Sequence, residues 1–86
     1  MREAFLAFLK EAKPHYESPG EIDVRLLEDR NDDHRFIELI LYDNEAAYVR
    51  DQVRVRDDPQ MRSYIARWRA LLVEDPVIEV FRLATL

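Results

Sequence analysis

A chain of 86 residues with net charge −5 and no cysteine loses several function classes at once. The anionic balance argues against a nucleic-acid partner, because affinity for a polyphosphate comes from a surplus of Lys and Arg. Without cysteine there is no ligand for a disulfide, a thiolate nucleophile or a zinc–sulfur site.

At 48% hydrophobic the chain can build a core, although a domain this small buries only roughly 60–65% of its unfolded surface. Phe5, Phe8, Leu9 and Ala12 recur at helical spacing, with Leu6 widening the stripe. Lys13-Pro14 predicts the end of that helix. His15 and Tyr16 follow as the chain turns, and Ser18-Pro19-Gly20 is a turn signal in which the single glycine can supply a positive φ. Residues 21–27 and 36–42 alternate as strands around the polar run 28–35, which reads as a hairpin loop.

Ile22, Val24 and Leu26 share one face of the first strand; Asp23, Arg25 and Leu27 share the other. In the second strand Ile37, Leu39 and Leu41 form a wholly apolar face, and Phe36, Glu38, Ile40 and Tyr42 a mixed one. The expectation is that the apolar faces take the helices. The mixed faces, Arg25 and Leu27 beside Glu38, Ile40 and Tyr42, would then line the opposite side.

Asp43-Asn44 is a cap pair for a helical stretch over 44–73, with Glu45 favoured by the helix dipole. Asp57-Asp58-Pro59 breaks the stretch once, since an Asp cap before proline restarts a helix. Ala46, Val49 and Val53 give the first part a thin inner stripe. Met61, Tyr64, Ile65, Trp68, Leu71 and Leu72 give the second part a strong one, expected to pack on the sheet. Asp75-Pro76 stops the helix, and residues 77–83 alternate as a last strand. Val77, Glu79, Phe81 and Leu83 lie on one side of it and Ile78, Val80 and Arg82 on the other.

The order helix, hairpin, broken helix, strand is that of an α+β, ferredoxin-like unit lacking its first strand, a single domain over residues 1–86 with helices on one face of an antiparallel sheet. A sheet short of a strand, with Phe36, Ile40 and Tyr42 turned to water, requires a second subunit, so a homodimer is expected. The N-terminus carries Arg2, Glu3 and Lys10 and no long apolar run, which predicts neither a signal peptide nor a membrane span and a cytoplasmic location. Eleven arginines against two lysines fit adaptation to high temperature and equally a GC-rich genome.

The run "YESPG-EIDVRLLEDRNDDHRFIELILYDNEAAYVRDQ", followed by "DDPQMRSYIARWRALL", resembles the dimeric α/β-barrel superfamily. Within it the similarity is to small proteins related to antibiotic-biosynthesis monooxygenases and NIPSNAP-type proteins. The resemblance implies two ferredoxin-like subunits packed sheet against sheet. The superfamily's first strand would precede Arg2; the resemblance leaves its place to an upstream segment, to the last strand or to a partner. The monooxygenases tend to carry a histidine in the "AAY" helix, where this chain has Arg50, Asp51 and Gln52, so no catalytic residue is carried over.

Candidate ligand-binding residues are Arg25, Glu38, Tyr42 and His15. Arg25 and Glu38, expected on the same mixed face, would form a cross-strand ion pair or hold a polar ligand group. Tyr42, Tyr48 and Trp68 could stack on a flat substrate, although Trp68 also fits a helix core. His15 could act as a base or cap helix carbonyls; His34 reads as a solvated loop residue. Asp32-Asp33 and Asp57-Asp58 read as caps and solvated charges rather than a metal site. No phosphate loop, nucleophile elbow or metal-helix motif is present, and no cofactor is expected. Two functional readings follow. One is a hydrophobic small-molecule cavity walled by Leu27, Phe36, Ile40, Tyr42 and Phe81, as in an oxygenase or isomerase acting on an aromatic compound. The other is a non-catalytic dimerisation module.

Overall fold

The computed structural model describes residues 2–86. It is an α+β arrangement of three helices and a two-stranded antiparallel sheet. In chain order these are α1 (Arg2–Glu17), β1 (Ile22–Glu28), β2 (Phe36–Tyr42), α2 (Glu45–Asp57) and α3 (Pro59–Ala70).

Helix α1 buries the predicted stripe, with Phe5, Phe8, Leu9 and Ala12 all in the core. It does not stop at Lys13-Pro14 but continues through Pro14 to Glu17. Contacts at the extra turn outweigh the local preference of proline. Tyr16 is buried in the core, and the Glu17 carboxylate accepts the Val24 amide at 2.8 Å. Ser18 Oγ then donates to the His15 carbonyl at 2.8 Å, covering a carbonyl left free at the helix end. The turn into β1 places Gly20 at φ 81° and Glu21 at φ 63°. The glycine has no Cβ to clash there. Glu21 tolerates it because Asp43 N–H reaches its carbonyl at 3.0 Å and its carboxylate holds Asn44 and Arg50.

The hairpin register pairs Ile22 with Tyr42, Val24 with Ile40, Leu26 with Glu38 and Glu28 with Phe36. Directly opposed residues share a face, and this reverses the expected orientation of β2. Phe36, Glu38, Ile40 and Tyr42 stand with Ile22, Val24 and Leu26 on the helix side. Ile37, Leu39 and Leu41, the wholly apolar set, stand with Asp23, Arg25 and Leu27 on the outer side, where no helix lies. The pairing decides the face, and a shift of one residue would have exchanged the two sets.

Helix α2 is capped by Asn44 Oδ1, which accepts the Ala47 amide at 2.8 Å. Its buried residues are Ala47 and Asp51, while Val49 and Val53 are 52% and 44% exposed. The expected stripe Ala46, Val49 and Val53 therefore faces away from the core. A polar seam faces inward instead. The break at Asp58-Pro59 occurs where the cap signal places it, with Asp58 Oδ1 accepting Gln60 N–H at 3.1 Å.

Helix α3 packs on α1 and α2 rather than on the sheet. Tyr64 is the hinge of that contact. Its ring lies 6.1 Å from Phe8, 5.9 Å from Tyr16 and 5.3 Å from His15. Arg67 grips Glu11 through two bonds of 2.6 and 3.1 Å and covers the Phe8 ring. Met61 is buried, and Ile65, Trp68, Leu71 and Leu72 pack against the core from its margin.

The expected last strand does not form. Residues 77–83 lie in an arm without regular structure or pairing, with Val77, Ile78, Val80, Phe81 and Leu83 between 67% and 100% exposed. An ion pair joins its Arg82 Nη2 to Glu45 Oε2 at 3.6 Å. Among the described residues no helix is long and apolar enough to cross a membrane.

Candidate functional site

The four residues singled out from the sequence are not brought together. Arg25 stands on the outer face opposite Leu39, and its Nε holds Asp23 at 2.7 Å. That bond keeps the Asp23 carboxyl below its ordinary value. Glu38 is on the other side of the sheet, so the expected Arg25–Glu38 pair does not exist. His15 sits at the end of α1, where Nε2 lies 3.1 Å from Asp58 Oδ2. Burial works against that carboxylate, but the Gln60 amide and the His15 ring hold Asp58 below its usual value. This dyad ties the end of α1 to the start of α3.

Glu38 and Tyr42 do share the helix side, and there the fold gathers its one buried polar cluster among the described residues. Tyr42 donates to Asp51 Oδ2 at 2.6 Å, and Asp51 is 5% exposed. Arg54 reaches inward from the next turn of α2. Its Nη2 donates to the Tyr16 carbonyl at 2.8 Å and lies 3.4 Å from Asp51 Oδ1. That second approach is an ion-pair distance without hydrogen-bond geometry, so Asp51 Oδ1 and the Nε and Nη1 groups of Arg54 lack hydrogen-bond partners. Burial and the Asp51 bond raise the Tyr42 hydroxyl far above its normal value. Tyr48 closes the cluster with an edge-on ring 5.3 Å from Tyr42.

Glu38 faces the same interior. Desolvation alone raises its carboxyl, and no compensating charge stands beside it. The buried Tyr16 hydroxyl is pushed up to about 12, by burial first and then by the Glu38 charge. This cluster joins β2 to α2 through the Tyr42–Asp51 bond and α2 to α1 through the Arg54 bond to the Tyr16 carbonyl. It holds the helices to the sheet.

The wall proposed for a small-molecule cavity is dispersed. Leu27 is outward, Phe36, Ile40 and Tyr42 are on the helix side, and Phe81 is on the arm at 80% exposure. A groove of about 350 Å³ lies instead between α1 and α3, lined by Ala4, Ala7, Phe8, Glu11, Arg67, Ala70 and Leu71. None of the four candidate residues borders it, and the Glu11–Arg67 pair spans it.

The feature with the clearest chemical consequence is the hairpin's outer face. Leu27, Ile37 and Leu41 are 48%, 44% and 43% exposed, with Leu39 between them and Arg25 and Asp23 at the margin. Sequence alternation showed the apolar set and could not orient it. Asp51, Arg54, Lys13 and Glu17 were not foreseen. The only signal for Asp51 was its i, i+4 spacing from Ala47, which no apolar count detects. In comparison with known proteins, no family model, no curated protein and no solved structure matches this chain.

Proposed function

We propose that the protein is a self-associating module, one subunit of a homodimer whose two hairpins pack outer face to outer face, as in a dimeric α/β barrel. The observation that carries this reading is the contiguous Leu27, Ile37, Leu39 and Leu41 surface, left uncovered while α1 and α2 pack on the other side of the sheet. Exposed apolar patches of this kind mark association surfaces. The face is self-complementary: a two-fold axis through Leu39 brings the leucines of one copy against those of the other. Arg25 and Asp23 then form its polar rim, the usual place for exposed charge at an interface.

Sedimentation tests the reading directly. The native chain should run at twice 10.3 kDa at micromolar concentration. Leu39→Glu should reduce it to the single-chain mass while leaving the helical circular dichroism unchanged. A native mass of 10.3 kDa under the same conditions would overturn it.

A further inference from the structure

The two edges of the sheet are unequal. Asp29 N–H bonds the Arg35 carbonyl at 3.0 Å and Asp43 N–H bonds the Glu21 carbonyl at 3.0 Å. With the observed register, antiparallel alternation makes Asp23–Leu41, Arg25–Leu39 and Leu27–Ile37 the hydrogen-bonded pairs. The backbone groups of Val24 therefore point away from β2, to the outer edge of β1. Both are taken: Glu17 accepts the amide at 2.8 Å and Lys13 Nζ donates to the carbonyl at 2.6 Å. Those two side chains also bond each other at 2.6 Å, so α1 caps that edge at Val24 with a fixed ion pair.

The corresponding groups of Phe36, Glu38, Ile40 and Tyr42 point to the outer edge of β2. Among the described residues none of them meets a backbone or side-chain partner. Ile40 is also 45% exposed on the helix side, where its neighbour Val24 is 6% exposed. The edge of β2, seven residues long, is thus open along its whole length, with incomplete cover above it, whereas the edge of β1 is capped at its Val24. The molecule also has one strand-patterned segment without a partner, residues 77–83.

We propose that the edge of β2 is completed by residues 77–83 of a second copy, the two subunits exchanging arms. The proposal rests on the homodimer described above. Three observations favour the second copy over the chain's own arm. The arm has its own β2 edge within the same body and forms no ladder with it. Leu71, at the end of α3, lines a groove along the first half of α1 that begins at Ala4, and the next residue, Phe5, stacks on Phe36 at the start of β2. Arg82 reaches Glu45, just beyond the end of β2. The arm therefore runs in the same sense as its own β2, and pairing there would be parallel, the weaker ladder. A two-fold axis perpendicular to the strands reverses that sense and presents the arm to the partner's β2 antiparallel. The hinge is also short. Leu71 and Leu72 are held against the core, and Pro76, with φ fixed near −65°, directs the chain outward. Such hinges favour exchange between copies. Exchange would bring Val77, Ile78, Val80, Phe81 and Leu83 of each copy out of water and add them to the four apolar residues of the outer face.

A mixing experiment tests it. Val80→Pro removes a donor from the middle of the arm and breaks its strand. Because Val80 is 67% exposed, the folded body should be unaffected, and slow exchange of the Leu39 and Leu41 amides, bonded to β1, reports that. An isotope-labelled Val80→Pro chain is mixed with excess unlabelled native chain, and exchange at the labelled Glu38 and Ile40 amides is followed by NMR. The proposal expects these amides to exchange freely in the variant alone and to slow on the order of a hundredfold when native chain supplies its arm. Free exchange in the mixture, with a dimeric mass, would overturn arm exchange and leave the face-to-face dimer standing. Slow Glu38 and Ile40 exchange in a native chain of single-chain mass would overturn both, showing that the arm pairs within its own chain.

Discussion

Strands β1 and β2 have the same length and pair residue for residue, yet they live in different surroundings. Val24 and Ile40 are direct neighbours on the helix side, 6% and 45% exposed. Over β1 lies α1, whose Phe5, Leu9 and Ala12 share the buried core with Val24, and whose Lys13 and Glu17 cap the edge at Val24. Over β2 lies α2, which touches it chiefly through the Tyr42 hydroxyl and the Tyr48 ring. The difference teaches that a strand is finished by what reaches its edge and its face. Its own sequence supplies the pattern only. Edge strands left open are sites for added strands, and here one edge is interrupted at its middle by a built ion pair while the other is not.

The sharpest way to break the comparison is to truncate both members of one cross-strand pair. Val24→Ala should cost about 2–3 kcal/mol, as core truncations do, whereas Ile40→Ala in the isolated subunit should cost less than about 1 kcal/mol. Urea unfolding of each variant at dilution measures the two values, and equal costs would mean β2 is as well covered as β1.

Tyr42→Phe comes next. It leaves Asp51 Oδ2 buried without its donor, which should cost about 1–3 kcal/mol, read as a lowered midpoint in thermal unfolding. An unchanged midpoint would show that the α2 contact contributes little to β2.

Glu17→Ala opens the guarded edge. The Val24 amide loses its acceptor, for a loss of about 1 kcal/mol, and its hydrogen exchange should rise towards the rate of the Ile40 amide in the isolated subunit. No change at Val24 would mean that the ion pair does not cap that edge.

The smallest effect is the pH response of Glu38. Desolvation raises its carboxyl in the folded chain, so the folded state binds the proton more tightly than the unfolded one. Stability contributed by that protonation is present below the ordinary glutamate value and is lost as pH rises through the raised one. Glu38→Gln should therefore stabilise the chain at neutral pH by about 1 kcal/mol or less, with the gain fading below pH ~4. Thermal unfolding of the two chains from acid to neutral pH checks the sign; a gain that grows towards acid would contradict it.

Local patterns carried the element order far. The stripe of α1, the Asn44 and Asp58 caps, the break before Pro59 and the hairpin around residues 28–35 all follow from interactions within a few residues, which the sequence displays directly. The last strand was legible only as a tendency: residues 77–83 alternate correctly, but a strand exists through its neighbour, and this segment pairs with none. Pro14 was misread for the opposite reason, because Tyr16 and Glu17 make contacts far along the sequence that keep the helix going past it.

The candidate site depended on more distant choices. That Arg25 and Glu38 are charged and placed on strands is evident from the chain; that they lie on opposite sides of the sheet was decided by the hairpin register, since side chains alternate with period two and a one-residue shift inverts them all. Likewise Asp51 and Arg54 look like solvated residues of a polar helix until Tyr42 is brought beneath them. Sequence by itself determined which segments coil, extend and turn, because those outcomes rest on local backbone sterics and capping. Tertiary structure alone decided which apolar face stays open, which edge is guarded and which polar residues are buried, because each requires two segments distant in sequence to meet.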